Sequence, residues 1–356
     1  MRADSLCRQP ERMPVHRRSV ERVDQLVGQL GPGPWTLAQV RDAGWTTAHV
    51  RQAVAEGRLV RPRRGVLALP GVRQDWPAVD ASLLRRRAEV VLTRYAGAVV
   101  SHETAAALHG LWLPRAENGD VHLISPRPPD RSETGVRVHG SRLPRRHVVD
   151  LDGLPATSVA RSAVDVARGR SIEDAVVVLD SAARALAITA GVELRQLRRD
   201  LGLRAECAAR ARTEMWSAYR SVRRWPFAVV VRSAIPLLDP ASESAFESRS
   251  RIRILASELP IPSVAVPVMG ASGAWYVADF LWDEWKVIGE ADGTGKYGSD
   301  PATVRSRLRS ERRRQRDLED AGWVFARWES TEPSRAMLQR IRRTLHDQGW
   351  RPVSLG

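Results

Sequence analysis

The spacing of apolar residues changes between Ser242 and Trp328, and that change restricts the fold of this chain more than any other feature. Helical spacing over Ser242–Leu259 gives way to short strand-like runs at Ser263–Met269, Tyr276–Trp282 and Trp285–Glu290. A long polar helix is expected over Pro301–Ala321, a strand over Trp323–Trp328, and a last helix over Ser334–Gln348. The expected order is helix, three strands, helix, strand. Prolines 226, 236 and 240 precede it and mark a boundary between about Trp225 and Pro240.

Three acids stand where these strands would end. Asp279 lies in Val277-Ala278-Asp279-Phe280, and Glu290 and Asp292 lie in Gly289-Glu290-Ala291-Asp292-Gly293. Strand side chains alternate, so Glu290 and Asp292 share a face, and Asp279 on a neighbouring strand is expected to join them. Clustered carboxylates repel unless a cation neutralises them, and hard oxygen donors suit Mg²⁺ or Mn²⁺. Solvated strand ends are the plain alternative. The helix that follows carries Arg305, Arg307, Arg309, Arg312, Arg313, Arg314 and Arg316 around a thin apolar stripe of Val304, Leu308 and Leu318. It is either a solvated face or a phosphate-contacting one, with Arg305, Arg309, Arg312, Arg313 and Arg316 as the candidate contacts. Lys296, which shares the whole lysine content with Lys286, follows the acids in Thr294-Gly295-Lys296-Tyr297.

The chain carries 56 Lys and Arg against 41 Asp and Glu, a formal charge of +15. Such a surplus favours a polyanionic partner. Cys7 and Cys207 have no metal-ligand spacing and no evident partner, which argues against a disulfide framework and fits a reducing cytoplasm. No secretory signal opens the sequence, and no run is apolar for long enough to span a bilayer, so no membrane partner is expected.

Residues Ser19 to Gly71 read as three helices and a hairpin. Val23, Leu26, Val27 and Leu30 share a helical face. Thr36 is positioned to cap a second helix that stops at Gly44, and Thr46 to cap a third that stops at Gly57. Two short strands then flank the basic turn at Arg61-Pro62-Arg63-Arg64. This is the layout of a winged helix-turn-helix. Thr47, His49, Arg51 and Gln52 on the third helix are the candidate base contacts, and Arg61, Arg63 and Arg64 the candidate phosphate contacts. Winged helices also dock proteins. In the middle region, helices are expected over Leu83–Tyr95, from Ser101, over Ser158–Arg168 and over Ile172–Leu186, with strands at Val121–Ile124 and Val136–His139. His102 and His109 read as packing or capping residues; a zinc site with His122 or His139 is the other reading.

Two resemblances add to this. Ser242-Glu243-Ser244-Ala245-Phe246-Glu247, Val277-Ala278-Asp279-Phe280, Gly289-Glu290-Ala291-Asp292-Gly293 and Asp320-Ala321-Gly322-Trp323-Val324 resemble the small nuclease domains related to very-short-patch repair endonucleases, of the PD-(D/E)XK fold. The resemblance implies an αβββαβ core, Asp279 and Glu290 as metal ligands, and Glu243 or Glu247 on the first helix as an accessory acid. The sequence departs from that pattern where Asp292 replaces the usual lysine. Gly65-Val66-Leu67-Ala68-Leu69-Pro70-Gly71, the run from Val100 to Leu111 and the run from Gly153 to Asp165 resemble AbiEi-type antitoxins of type IV toxin–antitoxin systems. That resemblance implies a winged helix used for transcriptional autoregulation, with a possible toxin partner.

The expectation is therefore an α+β multidomain protein acting on double-stranded DNA. A disordered basic arm covers 1–18, a winged helix-turn-helix 19–75, a mixed α/β middle domain 76–225, a restriction-endonuclease-like core 239–330, and a C-terminal helix 334–348.

Overall fold

The structure is a computed structural model that describes residues 15–30, 35–56, 58–63, 66–68, 81–113, 120–127, 134–292 and 301–352. Arg64, Lys296 and residues 1–14 of the expected arm lie outside the described residues. The chain forms two compact units, Met1–Arg73 and Gln74–Gly356.

In the first unit, α1 spans Val15–Leu30, β1 Trp35–Thr36, α2 Leu37–Asp42, α3 Thr47–Ala55, β2 Val60–Arg63 and β3 Val66–Ala68. Helix α1 starts at Val15, ahead of the expected Ser19, so residues 15–18 of the expected disordered arm are helical. The strands form an antiparallel sheet in the order β1-β3-β2. Trp35, Trp45, Leu26, Val40, Val50, Leu59 and Leu67 close the core between sheet and helices. Gly44 adopts φ +83°, a left-handed turn that lets the chain leave α2 and enter α3. The side chain of Thr46 accepts from the His49 amide as predicted, and the Thr46 amide donates back to His49 Nδ1.

The second unit holds two sheets. Its first half contains α4 (Ala81–Leu92), β4 (Val99–Val100), α5 (His102–Leu108), β5 (Val121–Ser125), β6 (Val136–Gly140), β7 (Val148–Leu151), β8 (Leu154–Thr157), α6 (Val159–Ala167) and α7 (Ile172–Thr189). The five strands run in the order β6-β5-β4-β8-β7. Helices α8 (Leu194–Leu197), α9 (Leu201–Val222) and α10 (Ala228–Ala234) follow. Apolar residues of α4 to α7, α9 and α10 join those of this sheet in one core. The proline-marked segment 225–240 therefore lies inside the unit.

The second half contains α11 (Ala245–Leu255), β9 (Ser263–Met269), β10 (Trp275–Trp282), β11 (Val287–Asp292), α12 (Pro301–Asp320), β12 (Val324–Glu329) and α13 (Ser334–Asp347). The sheet order is β12-β11-β10-β9, antiparallel except for the parallel pair β11 and β12. That parallel pair requires a crossover, and α12 is the crossover. On one face Phe280, Trp282, Val287, Ala291, Ala326 and Trp328 pack with Phe246 and Ile254 of α11 and Met337, Ile341 and Leu345 of α13. On the other, Val268, Ala278 and Ile288 pack with Leu318 of α12.

Helix α11 also joins the two halves. Arg251 donates to both oxygens of Asp180 on α7 at 3.1 and 2.9 Å, and Asp180 further accepts from the Asp239 amide and the Ser242 hydroxyl. Arg249 pairs with Asp174 at 2.6 Å and Arg253 with Glu173 at 3.1 Å. No helix among the described residues is long and apolar enough to cross a membrane.

Candidate functional site

Asp279 sits where strand β10 breaks its alternation. Ala278 packs toward α12, yet Phe280, two residues on, packs toward α11 and α13. The ladder with β9 passes from Ala278↔Val266 to Phe280↔Val264, leaving Asp279 beside Ala265, whose φ is +50°. This irregularity turns the Asp279 carboxylate toward the start of α11. One oxygen accepts from Arg198 Nη2 at 2.6 Å, and the other accepts from the Ala291 amide at 3.2 Å.

Arg198, the C-cap residue of α8, also meets Glu243 at 2.8 Å. Burial opposes its charge, but the carboxylates of Asp279, Glu243 and Glu247 outweigh that cost and hold its pKa above the ordinary guanidinium value. Glu247 completes the group. Burial and the neighbouring Asp279 push its carboxyl up to about 7, although Arg198 pulls the other way. Glu247 lies in the first turn of α11, where it accepts from the Glu243 amide at 2.9 Å and the Ser244 hydroxyl at 3.2 Å.

Glu243 was expected on that helix. It precedes it, because Ser244 is extended (φ −146°, ψ 157°) and caps the Glu247 amide, so the helix starts at Ala245.

Glu290 is held separately. The register Phe280↔Gly289 places it next to Asp279 across the β10–β11 pair. Its carboxylate, however, meets Arg314 of α12 at 2.5 Å and Arg327 of β12 at 2.8 Å. Burial raises its pKa despite both arginines. Asp292 ends β11, half-buried, on the same face as Glu290 by alternation. The three acids are thus on adjacent strands as expected. They do not form a three-ligand group: among the described residues, three such ligand atoms lie within 4.8 Å of one another only in a histidine cluster of the other sheet. The physical reason is direction: Asp279 turns toward Arg198 and the start of α11, whereas Glu290 turns toward Arg314 of α12 and Arg327 of β12, so the expected joining of Asp279 to the other two is not seen.

Helix α12 divides its arginines by face. Arg314 turns inward to Glu290, Glu311 and the Val277 carbonyl. Arg309, Arg312, Arg313 and Arg316 are exposed and, with Asp317 and Asp320, line an open surface concavity of about 430 Å³. Arg305 and Arg307 belong to the same helix, but their side chains lie outside the described residues. Sequence reasoning missed Arg198, Arg314 and Arg327 as partners of the acids. Arg314 was visible as part of an arginine run, but nothing in the run distinguishes its direction.

In the first unit, the expected contacts of α3 divide in the same way. Thr47 and Arg51 are exposed. His49 is taken up by the cap with Thr46 and lies edge-on to Trp45, and Gln52 donates to Glu56 at 2.9 Å. Arg61 and Arg63 lie in β2, and their side chains, like all of Arg64, lie outside the described ones.

Comparison with known proteins bears on both units. Two Mycobacterium tuberculosis proteins, "Uncharacterized protein MT2308" and "Uncharacterized protein Rv2248", are each 29% identical over 275 residues, covering 76% of this chain and 86% of theirs. The crystal structure of the RV2827C protein from Mycobacterium tuberculosis aligns over 64% of this chain and 83% of its own at 20% identity, with a TM-score of 0.21, too low to support any argument about fold. Residues 21–70 match the family described as "Transcriptional regulator, AbiEi antitoxin", and the N-terminal part of the chain is therefore similar to those antitoxins.

Proposed function

We propose that this protein binds duplex DNA through its N-terminal module and carries a Mg²⁺- or Mn²⁺-dependent endonuclease site around Asp279 and Glu290. The carrying observation is the group of Asp279 and Glu243, both paired with Arg198, with Glu247 close enough to act on the same guanidinium. Burial, with the neighbouring Asp279, pushes Glu247 up to about 7, and a cation beside these carboxylates would relieve their mutual repulsion. Hard oxygen donors of this kind fit Mg²⁺ or Mn²⁺, with Asp279 and Glu290 as the holding residues. When bound, such an ion polarises a phosphoryl oxygen and lowers the pKa of bound water.

The chain's own residues supply the rest. The exposed face of Arg309, Arg312, Arg313 and Arg316 binds backbone phosphates. Glu247 exchanges its proton near neutral pH, the range that general acid–base work requires. Thr47 and Arg51 on the exposed face of α3 read base edges. The similarity to AbiEi antitoxins extends this reading to transcriptional autoregulation and to a toxin as protein partner.

A second reading has its own support. Asp279 and Glu290 are both arginine-paired, and Asp292 stands where the nuclease pattern has lysine. On that reading the sheet and α12 only grip DNA. Incubating the purified chain with plasmid DNA, with and without Mg²⁺ or Mn²⁺, separates the two. The endonuclease reading expects metal-dependent cutting that Asp279→Asn or Glu290→Gln abolishes while binding persists. It expects Lys296→Ala to cost about 10²-fold, comparable to losing one positioned donor. Uncut plasmid under every metal hands the case to the regulator reading, and absence of salt-sensitive duplex binding removes both.

A further inference from the structure

His102, His122 and His139 are far apart in sequence and come from three elements. His102 opens α5, His122 lies in β5 and His139 in β6. The parallel register sets His139 opposite Ile124, two residues along from His122, so the two imidazoles leave the same face of the sheet. Helix α5 brings His102 over them, fixed by the bond from the Ser101 amide to the His122 carbonyl at 2.9 Å. His109, the other histidine of the Ser101–Gly110 segment, points elsewhere and contacts the Thr157 carbonyl at 2.7 Å.

One ring nitrogen from each of the three histidines lies within 4.8 Å of the others. His139 Nε2 and His122 Nδ1 are 3.2 Å apart. Two ligands at about 2.0–2.1 Å from a tetrahedral metal are separated by about 3.3 Å, so this spacing is already that of a metal-binding edge. Glu103, the next residue after His102, brings an oxygen to 3.1 Å from the same His122 nitrogen and is steadied by Arg170 at 2.8 Å. His102 Nε2 is buried without a hydrogen-bond partner. An orphaned buried ring nitrogen is costly. His102 also holds φ +48°, a left-handed conformation that a non-glycine residue keeps only when its surroundings enforce it.

Burial and the neighbouring histidines hold His102 well below its ordinary pKa, and burial and His122 bring His139 to about 4. The rings of His102 and His139 therefore offer lone pairs at neutral pH. Arg161 and Arg168 add positive charge near His102, and Arg161 is itself paired with Asp165 at 2.8 Å.

We infer that His102, His122 and His139 form a site for a divalent transition metal of the zinc class, with Glu103 as a fourth ligand. Imidazole donors select Zn²⁺, Ni²⁺ or Co²⁺ over Mg²⁺. The site is separate from the acids of the other sheet and independent of whether those acids cut DNA. It would tie α5, β5 and β6 together.

The full chain, stripped with chelator, is titrated with Zn²⁺ alone and with Co²⁺ alone. One equivalent should bind, with the visible bands of tetrahedral Co²⁺. His139→Ala, at the half-buried position, should weaken Zn²⁺ binding at least about 100-fold, Glu103→Gln about 10-fold, and Asp279→Asn not at all. Absence of Co²⁺ bands in the wild-type chain, or full retention of them in folded His139→Ala, overturns the assignment. Should His139→Ala fail to fold, X-ray absorption of the Zn²⁺-loaded wild-type chain decides: three imidazole ligands support the site, and fewer overturn it.

Discussion

Arg198 and Asp279 are 81 residues apart in sequence, and guanidinium and carboxylate meet at 2.6 Å. The contact joins the loop after α8 to the strand that carries the candidate metal ligand. It makes Arg198 the resident counter-charge of an acidic group. Arg198→Ala should therefore make folding depend on added divalent cation. Millimolar Mg²⁺ or Mn²⁺ is expected to raise the melting temperature of the variant by several degrees more than that of the wild type, at roughly 2–4 °C per kcal/mol. Equal shifts in a thermal melt would mean that the acids have no appetite for a cation.

Glu247 predicts a pH dependence. Its folded pKa of about 7 lies above the ordinary glutamate value of 4.5, so the folded state holds the proton more tightly. The associated stability is fully present below about 4.5 and is lost as pH rises through about 7. Wild-type stability should fall between pH 5 and pH 8, and Glu247→Gln should flatten that part of the curve. Urea midpoints at several pH values measure it, and an unchanged slope in the variant would assign the dependence elsewhere.

Asp180 holds the two halves of the second unit together from a fully buried position. Asp180→Ala leaves Arg251 buried without its partner, which typically costs about 3–5 kcal/mol. Chemical denaturation should show that loss, with a smaller one for Asp180→Asn, which keeps an acceptor. A cost below about 1 kcal/mol would show that water replaces the carboxylate.

Gly289 has no room for a side chain. A Cβ there would lie 2.8 Å from Trp328, 2.9 Å from Trp282 and 3.0 Å from the Cβ of Phe280. Gly289→Ala should destabilise by about 1–3 kcal/mol, as overpacking does, with the indole fluorescence of the variant altered. Wild-type stability in this variant would mean that the sheet face is looser than its contacts indicate.

On α3, His49 and Arg51 should separate stability from recognition. His49→Ala removes half of a reciprocal cap and should cost about 0.5–2 kcal/mol in folding. Arg51 is exposed, so Arg51→Ala should leave the melt unchanged and weaken duplex binding by about 1–3 kcal/mol if it reads a base. Fluorescence anisotropy over a salt series checks this. A loss that reduces the salt slope by about one would assign Arg51 to a phosphate instead.

Much of the fold follows from local rules written in the sequence. The apolar periods of the C-terminal half locate its strands and helices, with Ser263–Met269 recovered end to end. Thr46 caps α3 as its residue type implies, and Gly44 takes the left-handed turn. Where local signals were weak, elements were missed, among them the short strands β4, β7 and β8, and α9, whose apolar residues alternate with many charged ones. Partner choice could not be read, because it depends on contacts between residues distant in sequence. Only tertiary structure turned Arg314 inward while Arg313 stayed exposed, placed Arg198 against Asp279, and gathered His102, His122 and His139 from a helix and two strands. The sequence by itself determined most of the helices and strands, and that Asp279, Glu290 and Asp292 lie on neighbouring strands, because secondary structure answers to near neighbours. Which of them meet was decided by register, crossover and burial, which only the folded chain defines.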